Sequence, residues 1–100
     1  MHQVMVGYKV KPERVSENET LVRAVYEQLA REQPAGFEYS TYRLEDGVSF
    51  VHVSRSEQDR PPLGELEAFQ RFQHDVAERC DEPPVVTQLE TIGSYRAGPA

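Results

Sequence analysis

A histidine, two side-chain amides and a set of aromatic rings are the residues of this sequence whose types and positions invite chemistry. His52 lies in phase with Val48 and Phe50, so strand alternation sets it on the same face as apolar groups. An imidazole on such a face can act as a general base near neutral pH or hold the polar end of a ligand. The plainer alternative is a histidine near a strand end, hydrogen-bonded or turned to water. Asn18 stands four residues before Val22 and seven before Val25, which puts it on the buried stripe of a helix. An amide there needs a hydrogen-bond partner or a ligand, since burying it unpaired costs about 1–3 kcal/mol. In a first helical turn it could instead stay close to water. Gln73 poses the same question on a second helix, although a long amide can reach out of a core. Tyr8, Tyr39, Phe50, Phe69 and Phe72 could line a cavity for a flat polycyclic ligand, each tyrosine bringing an apolar ring and one polar handle. The same spacing also describes plain core.

The remaining reactive types carry less. His74 sits off the apolar stripe of its helix, with no second histidine or carboxylate at helical spacing on an apolar face, so no metal site is expected. His2 receives no role. Cys80 is the single cysteine and can make neither an intrachain disulfide nor a cysteine-based metal site; it reads as a small buried hydrophobe. There is no glycine-rich phosphate loop and no serine elbow, and Asp59, Glu65 and Glu67 read as a solvated cluster. Eleven Lys+Arg against 17 Asp+Glu leave a net charge of −6. That balance excludes a nucleic-acid binder, which needs a basic stripe, and equally an anionic-membrane sensor. No run approaches the roughly 18 apolar residues of a membrane span. Met1-His2-Gln3-Val4 lacks the layout of a signal peptide, so a soluble, cytoplasmic protein is expected.

The elements that must position these residues follow from the hydrophobic period. Val4, Val6, Tyr8 and Val10 alternate as a strand that Pro12 stops. Ser16 with Glu19 reads as a capping box for an amphipathic helix running to about Gln33, ended by Pro34-Ala35-Gly36. Phe37 to Leu44 is rich in aromatic and β-branched residues, and Asp46-Gly47 suits a tight hairpin turn into a strand from Val48 to Ser54. The polar stretch Arg55 to Pro62 is a loop that either caps a cavity as a lid or merely connects. Leu66, Phe69, Gln73, Val76, Ala77 and Cys80 share one side of a second helix, which Pro83-Pro84 closes before a last strand from Val85 to Tyr95. The chain reads as a single domain, residues 1–100, with a core over about 2–96 and a frayed tail at 97–100.

Strand, helix, strand, strand, helix, strand is an α+β, ferredoxin-like βαββαβ order: a four-stranded antiparallel sheet with two helices on one face. Apolar residues nevertheless sit on both sides of the strands: Met5 opposite the first-strand valines, Val51 and Val53 opposite Phe50, Val85 and Leu89 opposite Val86 and Ile92. A sheet solvated on one face alternates more cleanly, so the open face is expected to be buried in a two-fold homodimer.

With this element order, the two-sided sheet, the Leu66-Glu67-Ala68-Phe69-Gln70-Arg71-Phe72 helix, and Pro83-Pro84 before a long final strand, the chain resembles the dimeric α/β-barrel superfamily. Within that superfamily it is similar to the antibiotic-biosynthesis-monooxygenase-like group, over about residues 2–96. The resemblance implies two sheets meeting face to face across a dimer axis, with a pocket between helices and sheet in each subunit. It also implies cofactor-independent oxygenation of a small aromatic substrate: Asn18, His52 and the tyrosines would position or deprotonate it, and the anion would react directly with oxygen. No cofactor is expected. Haem-degrading relatives carry an asparagine, a tryptophan and a helical histidine. This chain has no tryptophan and no first-strand asparagine, which argues against that activity. Arg55 also stands where many members have a tryptophan after the third strand. The alternative is a non-catalytic ligand-binding or dimeric assembly module. A polar-studded cavity on the order of several hundred Å³ favours an enzyme or binder, and close packing there favours assembly.

Overall fold

The computed structural model describes residues 2–59 and 61–98. Strand β1 spans His2–Val10, and its alternation turns Tyr8 and Val10 into the core. A 3₁₀ turn, Pro12–Arg14, leads into helix α1, Val15–Glu32. The capping box does not form, because the helix starts at Val15 and Ser16 already lies inside it. The Ser16 carbonyl accepts a bond from the Thr20 hydroxyl at 3.0 Å, and Glu19 pairs with Arg23 and Arg43. Helix α1 stops at Gln33, which adopts a left-handed conformation (φ 46°) and bonds back to the Leu29 carbonyl. Pro34 disfavours the right-handed helical conformation at the residue before it, which explains the stop.

Strands β2 (Phe37–Arg43) and β3 (Ser49–Ser56) form the expected hairpin. Its loop is one residue longer than the expected strand bounds allow: the Leu44 N–H reaches the Ser49 carbonyl at 2.8 Å, and Glu45 to Val48 lie between. Asp46 organises the loop by accepting the Val48 and Ser49 N–H groups through Oδ1 at 3.0 and 2.8 Å. Gly47 supplies the left-handed turn at φ 79°.

The second helical region departs most from expectation. Helix α2 covers only Glu67–His74, Asp75 breaks it at φ −131°, and a single turn, α3 (Val76–Arg79), follows. Strand β4 then begins at Cys80 and ends at Gln88, so Pro83-Pro84 lie inside the strand and do not terminate the helix. Register explains the tolerance. Gly7 pairs with Val85 and Lys9 with Glu82, so both prolines sit in a bulge opposite Tyr8 on an edge strand, where their missing N–H groups break no regular ladder. The strand expected up to Tyr95 is not formed. Beyond Gln88 the Leu89 N–H to the Gln3 carbonyl (2.8 Å) and Gln3 Nε2 to Thr91 Oγ1 (2.7 Å) tie the chain to the sheet, and Ile92 and Tyr95 are 92% and 90% exposed. Of the tail expected to fray, Ala97 and Gly98 lack regular structure, and Pro99 and Ala100 lie outside the described residues, as does Arg60; the loop expected at 55–62 is shorter, because Arg55 and Ser56 extend β3 and Pro62 opens a 3₁₀ turn.

The four strands pair antiparallel in the order β2-β3-β1-β4. One face carries Tyr8, Val10 and Phe50, which pack with Val22 and Val25 of α1, Ala68 and Phe72 of α2, and Leu63 and Leu66 at the turn before α2. The opposite face presents Met5, Val51 and Val53 half-buried and Tyr42 and Val85 exposed. Among the described residues, no helix is long and apolar enough to cross a membrane.

Candidate functional site

On β3, His52 pairs with Val6 of β1 and Thr41 of β2, so Tyr8 and Tyr39 become its diagonal neighbours on the helix side of the sheet. Long aromatic side chains span that diagonal. The Tyr8 hydroxyl lies 2.7 Å from Nε2 of His52, and the Tyr39 hydroxyl lies 2.5 Å from Nδ1. Thr41 Oγ1 is also within 3.2 Å of Nδ1 and is 2.8 Å from the Tyr26 hydroxyl. His52 is 5% exposed, so of the plainer alternatives the hydrogen-bonded histidine holds and the water-facing one does not.

Behind Tyr8 the chain of bonds continues into the helices. Asn18, fully buried on α1, donates through Nδ2 to the Tyr8 hydroxyl at 3.0 Å and accepts Arg79 Nε at 3.2 Å. Arg79 is itself fully buried, which requires complete pairing of its guanidinium. Nη1 reaches Asp75 Oδ1 at 2.5 Å, Nη2 reaches the Phe72 carbonyl at 2.7 Å, and the group lies 5.1 Å from the centre of the Phe72 ring. Among the described residues every buried side-chain nitrogen and oxygen has a partner.

These groups border a cavity of about 140 Å³ between the sheet and α2. Tyr8, Tyr39, His52, Phe69, Phe72 and Gln73 line it, together with Ser54 and aliphatic side chains. Gln73 is exposed and stands at the rim. Two of the anticipated residues do not reach the cavity: Phe50 is core, stacked on Tyr8 at 5.6 Å, and Asn18 acts on the site only through Tyr8. A cavity of this volume matches one that holds a single benzene ring and is small for the flat polycyclic ligand expected from the sequence.

Electrostatically the site is neutral. Burial lowers the His52 pKa from 6.5 to about 4. Burial raises Tyr8 and Tyr39 above their ordinary range, against the opposing hydrogen bonds from Asn18 and Thr41 respectively. At neutral pH the cavity therefore presents two phenol hydroxyls and an uncharged imidazole. Elsewhere, His74 is exposed, His2 lies 3.7 Å from Asp59, and Cys80 is buried with its thiol pushed up by that burial. Among the described residues no group of three or more metal-binding side chains is present. Arg79, Asp75 and Thr41 are the participants that sequence reasoning missed. The i,i+4 spacing of Asp75 and Arg79 was the available signal, and the helix break at Asp75 is what brings Arg79 inward.

Compared with known protein families and with curated proteins, the chain finds no match. Solved structures do match. An antibiotic biosynthesis monooxygenase superimposes with a TM-score of 0.75 at 21% identity, over 93% of this chain and all of the other. Two proteins provisionally given the same name are similar as well. The one from Nitrosomonas europaea has a TM-score of 0.76 at 18% identity, over 93% of this chain and 100% of its own. The one from Bacteroides thetaiotaomicron reaches 0.78 at 9% identity, over 98% and 95%. With its βαββαβ order, antiparallel sheet and one-sided helices, this chain has the ferredoxin-like α+β fold of the antibiotic biosynthesis monooxygenase-like proteins.

Proposed function

We propose that the protein binds a single-ring aromatic molecule beside His52 and oxygenates it directly with dioxygen, without a cofactor, as a cytoplasmic two-fold dimer joined through the open sheet face. The observation that carries this reading is a ring-sized, largely apolar cavity whose polar wall is one histidine held between two tyrosine hydroxyls. In the reaction a phenol takes one oxygen atom at a ring C–H carbon to become a quinone, and the other oxygen leaves as water. The electrons come from the substrate's own C–H and O–H bonds, so no external reductant enters. The apolar walls admit dioxygen and exclude water. Burial makes His52 a weak base, with its pKa at about 4, so its part is to position the ring and not to hold its proton. The chain's residues position the ring, and its proton leaves to solvent at the rim beside exposed Gln73.

Oxygen uptake with hydroquinone and simple phenols tests this. Uptake by the wild type above that of a folded His52→Ala, Asn18→Ala double variant supports it, and equal uptake overturns it. A second reading, binding without turnover, is favoured by the same loss of basicity at His52. It predicts calorimetric binding of the ring with no oxygen consumed.

A further inference from the structure

The buried bonds behind the cavity run in one direction, and that direction reaches the ligand. Arg79 has only donors, so the side-chain atom of Asn18 facing its Nε at 3.2 Å must be the oxygen. The Asn18 amide nitrogen is thereby turned to the Tyr8 hydroxyl, 3.0 Å away, which must accept. The proton of Tyr8 is then free for one neighbour, Nε2 of His52 at 2.7 Å, and that nitrogen has to be unprotonated to receive it. A neutral imidazole with a bare Nε2 carries its hydrogen on Nδ1, which faces the Tyr39 hydroxyl at 2.5 Å. The reverse arrangement fails at Tyr8. An Nε2–H would leave the Tyr8 hydroxyl facing two donors and turn its proton from His52 to the largely apolar cavity, a buried hydrogen bond lost.

We infer that Arg79, acting through Asn18 and Tyr8, fixes His52 as its Nδ1–H tautomer and leaves the Tyr39 hydroxyl as the donor offered to a bound ring. This rests on the cavity reading above for its ligand. The Tyr39 oxygen accepts from His52, so its own proton goes either to Thr41 or to an acceptor atom in the cavity. The ligand class is accordingly a single ring bearing an acceptor oxygen, such as a phenol oxygen or an aryl carbonyl. Arg79 and Asn18 are positioning residues, since neither touches the cavity.

The tautomer can be read directly from ¹⁵N spectra of histidine-labelled protein at pH 7, with His52 assigned by its loss in His52→Gln. The expected wild-type result is a protonated Nδ1 and a bare Nε2; a protonated Nε2 overturns the proposal. Asn18→Asp keeps the shape but cannot donate. Its carboxylate draws the Tyr8 proton, Tyr8 then accepts from His52, and the tautomer inverts. A folded Asn18→Asp protein with the wild-type tautomer overturns the proposal, because a merely structural role predicts no inversion.

Benzaldehyde and toluene, alike in size, report the ligand half by calorimetry. The wild type should favour benzaldehyde by about tenfold, the worth of one good hydrogen bond. Tyr39→Phe should erase the preference with the tautomer unchanged, and Asn18→Asp should erase it by drawing the Tyr39 proton to Nδ1. Preference retained in Tyr39→Phe overturns the assignment of the donor, and that variant with the wild-type spectrum decides the matter if Asn18→Asp does not fold. No turnover enters either readout, so failure of the oxygenase reading leaves this one standing. Failure of both rings to bind overturns the ligand half alone.

Discussion

Burial holds the His52 pKa at about 4 in the folded chain, whereas an unfolded chain protonates the same side chain near 6.5. Between those values the unfolded state binds a proton that the native state refuses. Stability is therefore complete above about pH 6.5 and is lost as pH falls toward 4. The shift corresponds to at most about 3 kcal/mol. Urea unfolding of the wild type between pH 7 and 4 should show this decline, and a folded His52→Gln protein should show it flattened; parallel slopes would contradict the burial argument. His52 and Asn18 were legible in the sequence because period alone places a residue on a face, and both faces are buried. Arg79 was not legible. A charged residue near a helix end reads as solvated, and only the break at Asp75 together with a carbonyl left free on Phe72 makes a buried home for it.

Elements obey their local signals where those signals concern backbone conformation. Gly47 is the clear instance: φ is 79° and a Cβ there would meet nothing within 4 Å, so conformation alone sets the cost of a side chain. Gly47→Ala should destabilise by about 1–2 kcal/mol. Gly64→Ala, also in open space but without a positive φ, should stay within about 0.5 kcal/mol of the wild type. Comparable losses at both positions in urea titrations would show that packing, not φ, governs the loop. The prolines mark the limit of such reading. Pro83-Pro84 look like a helix stop, yet the chain had already left the helix at Arg79 because Cys80 pairs with Val10 and starts a strand. A bulge opposite Tyr8 is a tertiary arrangement, and no local pattern announces it.

At the scale of the molecule, the unbalanced feature is the sheet face away from the helices. Met5, Val51, Val53 and Val85 form an apolar strip there, and Tyr42 stands beside it. The proposed dimer covers that strip. Sedimentation should give twice the chain mass for the wild type and a folded single chain for Val51→Lys, Val53→Lys, because two ammonium groups on each facing sheet repel one another and resist desolvation. A wild type that sediments as one chain at micromolar concentration would rule the dimer out. The element order was readable from the sequence because each period switch is local. The size of the cavity was not, since it depends on how α2 seats against β1 and β3 and no side chain encodes that alone. The site itself draws Tyr8 from the first strand, Asn18 from the first helix, Tyr39 and His52 from the middle hairpin, and Arg79 from the last helical turn. It has no contiguous cassette that a shorter ancestor could have lent it or that a graft could carry to another scaffold. A transplant of the site must therefore take the whole fold with it.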